Sequence, residues 1–183
     1  MATITCPTGC GNKLPKVKFD KCKPVLNLSE IQTIYVASLL ASAFADVEDP
    51  VEWAERLSED SILDDDIIRP LTVIADKALG APIIKELSND RKATIRLDQT
   101  VNVEIDDVSD ENYDFARTMQ CGGLVKMWYK TKAGKMYGGN EGIQDVFLQL
   151  DIINARGKDE IEKIQGTATW GAPTSPERTV SPI

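Results

Sequence analysis

The residues best suited to chemistry lie near the start of the chain, where Cys6, Cys10 and Cys22 follow one another at Cys-x3-Cys-x11-Cys spacing. A thiolate zinc site wants four ligands, usually in close Cys-x-x-Cys pairs, and the only other cysteine is the distant Cys121. With no histidine to complete the set, the preferred reading is free thiols on a flexible or docked arm, with no metal. A disulfide is not expected in a chain kept in a reducing compartment. Two acidic runs, Asp64-Asp65-Asp66 and Asp106-Asp107-x-x-Asp110-Glu111, could attract a hard cation, but neither has the Asp-x-Asp-x-Asp-Gly register of a calcium loop. The first reads as a solvated charge run and the second as helix capping. Gly138-Gly-Asn-Glu-Gly142 lacks the Gly-Lys-Ser/Thr that cradles phosphate and reads as a turn between sheets. Trp128-Tyr129, among Lys126, Lys130, Lys132 and Lys135, could stack bases, but neighbours on a strand face opposite sides. Core packing for one ring and a hairpin-tip contact for the other is the expectation.

The complete absence of histidine weighs on every catalytic reading. It removes Ser-His-Asp and Cys-His catalysis and the usual pH switch. No catalytic residue, cofactor or metal is expected, and the chain reads as a protein that binds or assembles.

The elements that must carry these residues are mostly strands. Residues 1–30 read as an extended arm punctuated by Pro7, Gly9, Gly11, Pro15 and Pro24. Ile31–Ala37 is a strand, and Leu39–Ala45 is ambiguous. Asp49-Pro50-Val51-Glu52 starts a short helix to about Leu57, with Asp49 as cap, Pro50 at the first position and Glu52 closing a capping box. Ile67–Ile74 is a strand that Pro70 pushes toward a sheet edge. From 93 to 106, apolar Ala93, Ile95, Leu97, Val101, Val103 and Ile105 alternate with polar residues, and only Gln99 breaks the apolar side. That strand is long enough to project beyond a compact domain. Ser109-Asp-Glu111 caps a helix to about Gln120 with Tyr113, Ala116 and Met119 as its apolar stripe. Two hairpins follow, turning at Lys132-Ala-Gly134 and at 154–158. The tail from Ala172 to Ile183 is extended, proline-rich and too poor in apolar residues to pack alone.

The fold expected is therefore mainly β with one main helix: an antiparallel sandwich or rolled barrel over 31–171, with the helix near 110–120 and arms at 1–30 and 172–183. A chain of 183 residues is one domain's worth. No apolar run approaches a membrane span, and Met1–Cys6 lacks the regions of a secretory signal, so a protein kept inside a cell or packed into a particle is expected. The net charge of −8 is unevenly spread: residues 1–23 balance at +4 and residues 46–66 at −9. Opposite charges at the two places permit head-to-tail pairing between copies. The overall acidity argues against gripping nucleic acid.

Several stretches together carry a resemblance. They are the cysteine-bearing arm, Ile31-Gln-Thr-Ile-Tyr-Val-Ala37, Asp49-Pro-Val-Glu-Trp53, Asn112-Tyr-Asp-Phe115, Lys130-Thr-Lys-Ala-Gly-Lys-Met-Tyr-Gly-Gly139, and Gly166-Thr-Ala-Thr-Trp170 before a Ser-Pro tail. In these the chain resembles the small virion proteins of tailed phages that infect Bacteroidota, and its layout is similar to a tail tube protein. The resemblance implies a β-sandwich or rolled barrel with one flanking helix, a long projecting hairpin and arms that reach neighbours. It implies homo-oligomeric rings, commonly six-fold, assembled in the host cytoplasm into a virion with other virion proteins. DNA would slide through an acidic lumen without specific binding. A head decoration or connector protein of the virion and a non-viral binding module are the alternatives. Two jobs are open to the acids of 46–66, lining the lumen or receiving a neighbour's lysine-rich arm, and the second is preferred. It pairs Lys13, Lys16, Lys18, Lys21 and Lys23 with Asp64, Asp65 and Asp66, and leaves Asp98, Glu104 and Asp106 facing the lumen.

Overall fold

The computed structural model describes residues 17, 22, 26–58, 64–154, 156–157 and 161–183. The elements in chain order are β1 (Ile31–Ala37), α1 (Pro50–Leu57), a 3-10 turn (Asp64–Asp66), β2 (Arg69–Lys77), β3 (Ala81–Glu86), β4 (Lys92–Ile105), α2 (Asp110–Met119), β5 (Gly123–Thr131), β6 (Lys135–Tyr137), β7 (Ile143–Ile153), β8 (Lys163–Ala172) and β9 (Arg178–Val180). The pairing order β1-β2-β4-β8-β7-β5 is antiparallel throughout, and β5 returns to pair with β1. The fold is thus mainly β, a closed six-stranded antiparallel barrel to which β3, β6 and β9 are added.

The alternation in the sequence fills this barrel. Val101, Val103 and Ile105 of β4 meet Val146, Leu148 and Leu150 of β7 and Ile164, Ala168 and Trp170 of β8 in one buried cluster with Ile34, Val36, Met127 and Tyr129. Period-2 patterning puts one face of each strand inside and leaves the other outside. Helix α2 joins the same cluster through Ala116, with Val108, Phe115 and Met119 packed against it. Tyr113, expected on the buried stripe, is exposed, and the Arg117 guanidinium lies 6.0 Å from its ring centroid. Phe115 takes its place. Ser109 stands at the N-cap without a side-chain hydrogen bond.

A second, smaller core lies outside the barrel wall. Trp128, Tyr35 and Ala37 point outward from β5 and β1 and are covered by Phe44, Val47, Trp53 and Ile68. The Phe44 and Trp53 rings stack at 4.6 Å, and Trp128 meets Trp53 edge-on at 5.9 Å. Both rings of the Trp128-Tyr129 pair are therefore buried, on opposite faces of β5, whereas one was expected at a hairpin tip. The residues that were ambiguous between strand and helix, 39–45, form an irregular loop instead. Backbone groups of that loop are met by side chains, as buried polar groups must be. Arg56 donates to the carbonyls of Ser42 and Ala43, Lys126 donates to that of Ala41, and Glu52 accepts from the amides of Ala45 and Asp46. Glu52 reaches past the expected capping box to this loop, while Asp49 caps α1 by accepting from Val51 at 2.9 Å.

The 138–142 turn clamps the same loop from the other side. Asn140 accepts from the Val47 amide at 3.0 Å and its carbonyl accepts from that of Phe44 at 2.8 Å. Gly138 and Gly142 have φ of 138° and 72°, and a Cβ on either would lie 2.5 or 2.6 Å from the Trp128 ring. Glycine here serves both the left-handed backbone and the close approach of the indole.

Two further expectations change. Pro70 does not lie on an edge strand, because β2 sits between β1 and β4. The part of β2 that holds it pairs with β1 only, since the β4 register begins at Ile74, so the missing N–H costs no second ladder. The tail is extended, but it lies along its own domain: β9 pairs with β6, the Ser181 amide donates to Gly134, and Ile183 packs on the smaller core. The arm at 1–30 falls largely outside the described residues.

Candidate assembly surface

Strand β4 explains both the length of the alternating run and what that length is for. On one side it pairs with β8 from Leu97 to Ile105, and on the other with β2 from Val101 to Glu104 and with β3 from Lys92 to Asp98. Residues 92–96 of β4 therefore have β3 as their only partner and leave the barrel as a two-stranded ribbon. Strands β2 and β3 are almost one strand, broken by Ala78–Gly80, where the Ala78 amide still donates to Thr100. Gln99, the polar residue that broke the apolar alternation, is buried at this root with its side chain against Gly80. The sequence reading missed β3. Gly80 and Pro82 look like loop punctuation, and the available signal was Ile83-Ile84 facing a strand too long for one domain.

The tip is closed by Asn89 and Asp90, both left-handed at φ of 61° and 55°, residue types that tolerate that region. The Leu87 amide donates to Arg91 across the tip at 2.7 Å. In the middle of the ribbon the register slips so that Ile83 faces Arg96 and Ile84 faces Thr94, leaving Ile95 as the extra residue of a β-bulge. Three isoleucines collect there, with Ile83, Ile84 and Ile95 exposed at 41%, 53% and 57%. Every residue of β3 is exposed, and its outer edge faces no strand among the described residues. Strand β3 is short and carries Pro82 and Lys85, which blunt its edge for pairing, so what the ribbon leaves open is the apolar area of its isoleucines.

The opposite edge of the sheet is treated differently. At β9 the Val180 amide is taken by the Glu48 carboxylate at 3.2 Å, so this edge is blocked from within the chain.

The outer face of β2, β4, β8 and β7 is a second surface of note. Asn102 donates to Asp76 at 3.2 Å, and Gln165 donates to Glu104 at 2.7 Å. Glu104 also pairs with Lys163 at 2.9 Å, and these bonds hold its carboxyl below the usual glutamate range. Gln120 donates to Asp151 at 3.0 Å. Thr100, Thr167 and Thr169 fill the spaces between, so the middle of the face is polar, while Ile74 on β2 and Phe147 on β7 are exposed apolar residues on it.

The residues singled out from sequence fall as follows. Asp98, Glu104 and Asp106 share outward parity along and just beyond β4. Asp98 pairs with Arg96 at 2.9 Å and Glu104 with Lys163, so each has a base beside it and only Asp106 stands exposed as a bare acid. Lys13, Lys16, Lys18, Lys21 and Lys23 lie outside the described residues, as does the side chain of Asp64. Asp65 is exposed, whereas Asp66 accepts from the Ser42 amide at 2.5 Å and so fastens the loop over the smaller core. Asp46, Glu48, Asp49 and Glu52 likewise bond backbone amides of their own chain. Much of the acidic segment is thus spent on backbone amides of its own chain, near and distant, which composition alone does not reveal. Among the described residues no group of three or more His, Cys, Asp or Glu could hold a metal ion, and no helix is long and apolar enough to cross a membrane. Cys22 and Cys121 are exposed, and Cys6 and Cys10 lie outside the described residues. No protein-family model matches the chain, and no curated protein matches it.

Proposed function

We propose that this chain is a self-assembling structural subunit of a tailed-phage particle, most like a tail tube protein, whose copies join into rings that stack around a channel. The observation that carries the reading is the projecting β3–β4 ribbon, with three exposed isoleucines at its bulge and an outer edge that faces no strand among the described residues. A monomer gains nothing from that ribbon and bears its aggregation risk. A subunit that covers it with a second copy turns the same area into an interface. The polar stretch around Asn102, Glu104, Gln165 and Thr167 on β4 and β8 suits a channel wall past which DNA slides, since it offers no cluster of cations to grip phosphate. Size-exclusion chromatography with light scattering, followed by negative-stain imaging, tests the reading. Rings or stacked tubes are expected from the wild type, and the double variant Ile83→Asp, Ile84→Asp should remain folded but monomeric. A wild-type chain that stays monomeric at high concentration would overturn it.

A further inference from the structure

A ribbon that docks needs a seat, and one outward patch of the barrel matches it. Leu124 of β5 and Phe147 of β7 are directly paired across the two strands and exposed at 54% and 41%. The Phe147 ring is held in place by Gly122, where a Cβ would lie 2.1 Å from the ring. Two residues before Phe147 on the same outward side stands Asp145, turned out by a left-handed φ of 52° beside the register slip of β5 and β7. Among the described residues its carboxylate has no basic partner.

The ribbon carries the complementary pair at the same spacing. Ile83 and Lys85 are two apart on one face of β3, both exposed, and no carboxylate among the described residues pairs with Lys85. Side chains two apart on a strand are separated by about 6.6 Å. Laid against the patch, Ile83 meets Leu124 and Phe147 while the Lys85 ammonium meets Asp145. Apolar contact supplies the area, and the charge pair sets the register.

We propose, on the assembly reading above, that the Leu124–Phe147–Asp145 patch is the seat for the β3–β4 ribbon of a second copy. Ribbon and seat are different surfaces of one chain, so the contact is head-to-tail and propagates as a closed ring or a filament, not a two-fold dimer.

The test uses two single variants of the full chain, each checked for an unchanged circular-dichroism spectrum. Ile83→Asp disables the ribbon and Leu124→Asp disables the seat. Each alone should be monomeric by light scattering. Mixed in equal amounts they should give one species of twice the monomer mass, because the intact ribbon of the Leu124→Asp copy finds the intact seat of the Ile83→Asp copy. Asp145→Asn, which keeps a residue type at ease in the left-handed region, should raise the concentration needed for assembly severalfold. Assembly by Leu124→Asp alone, or a mixture that stays monomeric, would overturn the seat while leaving the assembly reading standing. Assembly by the Ile83→Asp, Ile84→Asp double variant would overturn the ribbon's role itself.

Discussion

Gly166 offers the sharpest measure of how tightly the barrel is closed. It stands in β8 with Leu150 of β7 as its register partner, and a Cβ built on it would lie 2.0 Å from the Gln149 carbonyl oxygen and 2.8 Å from the Leu150 side chain. Close carbon–oxygen contacts between strands settle near ~3.3 Å, so Gly166→Ala demands a displacement of about 1.3 Å. The obstacle is main chain in a closed circuit, and no rotamer change relieves it. Moving the strands apart sacrifices about two ladder hydrogen bonds, each worth about 1 kcal/mol net. Overpacking against Leu150 adds about 1–3 kcal/mol. The sum is a loss of about 3–5 kcal/mol, which for a chain of this length lowers the melting temperature by roughly 8–15 °C. Urea titration followed by far-ultraviolet circular dichroism measures it. Gly171→Ala is the control: its Cβ would meet the flexible Arg96 side chain at 3.0 Å, and its cost should stay below about 1 kcal/mol. A Gly166→Ala protein within about 1 kcal/mol of wild type would refute the close approach of β7 and β8 on which the estimate stands.

Trp53→Ala should cost about 3–5 kcal/mol, as the loss of a fully buried ring does, against about 1 kcal/mol for Asp49→Ala, which removes only the α1 cap; urea titrations separate the two. Glu104 is held below the ordinary value of 4.5 in the folded state, so its contribution to stability is present above that value and disappears as the pH falls through the depressed one. Glu104→Gln should flatten this acid limb of the stability curve, and an unchanged limb would count against the Lys163 and Gln165 bonds. Removal of residues 178–183 should leave the barrel spectrum intact but lower the melting temperature, because β9 and Ile183 are stripped from β6 and the smaller core. An unchanged melting temperature would mean that the tail does not dock in solution.

Periodicity made the barrel strands legible. Alternation over 101–105 and over 146–150 marks positions that are buried in the structure, because a strand in a closed wall has one face inside and one outside. The same alternation over 93–97 runs out along the ribbon, where Ile95 is exposed. Capping chemistry placed α1 to within a residue. What stayed hidden follows from contacts distant in sequence. Leu39–Ala45 looks ambiguous because its backbone is satisfied by Arg56, Lys126, Glu52 and Asn140, none of which a local window can see. The acids of 46–66 read as a charge run open to a neighbour's lysines because their bonds to amides at 42, 45 and 180 depend on the tertiary fold. The candidate site was half visible: the long strand announced a projection, but its partner β3 and the Leu124–Phe147 seat carry no periodic signal of their own.

Strand β5 has Tyr129 in the barrel and Trp128 in the outer aromatic core, and neither core can form without it. The two cores are thereby one thermodynamic unit. No plane exists along which the outer layer could peel away and leave a finished barrel, since peeling would lay the Trp128 ring bare on the barrel wall. Heating should give a single calorimetric transition whose van't Hoff and calorimetric enthalpies agree. A chain built this way is either whole or unfolded, with no half-folded form that keeps one core and exposes the other.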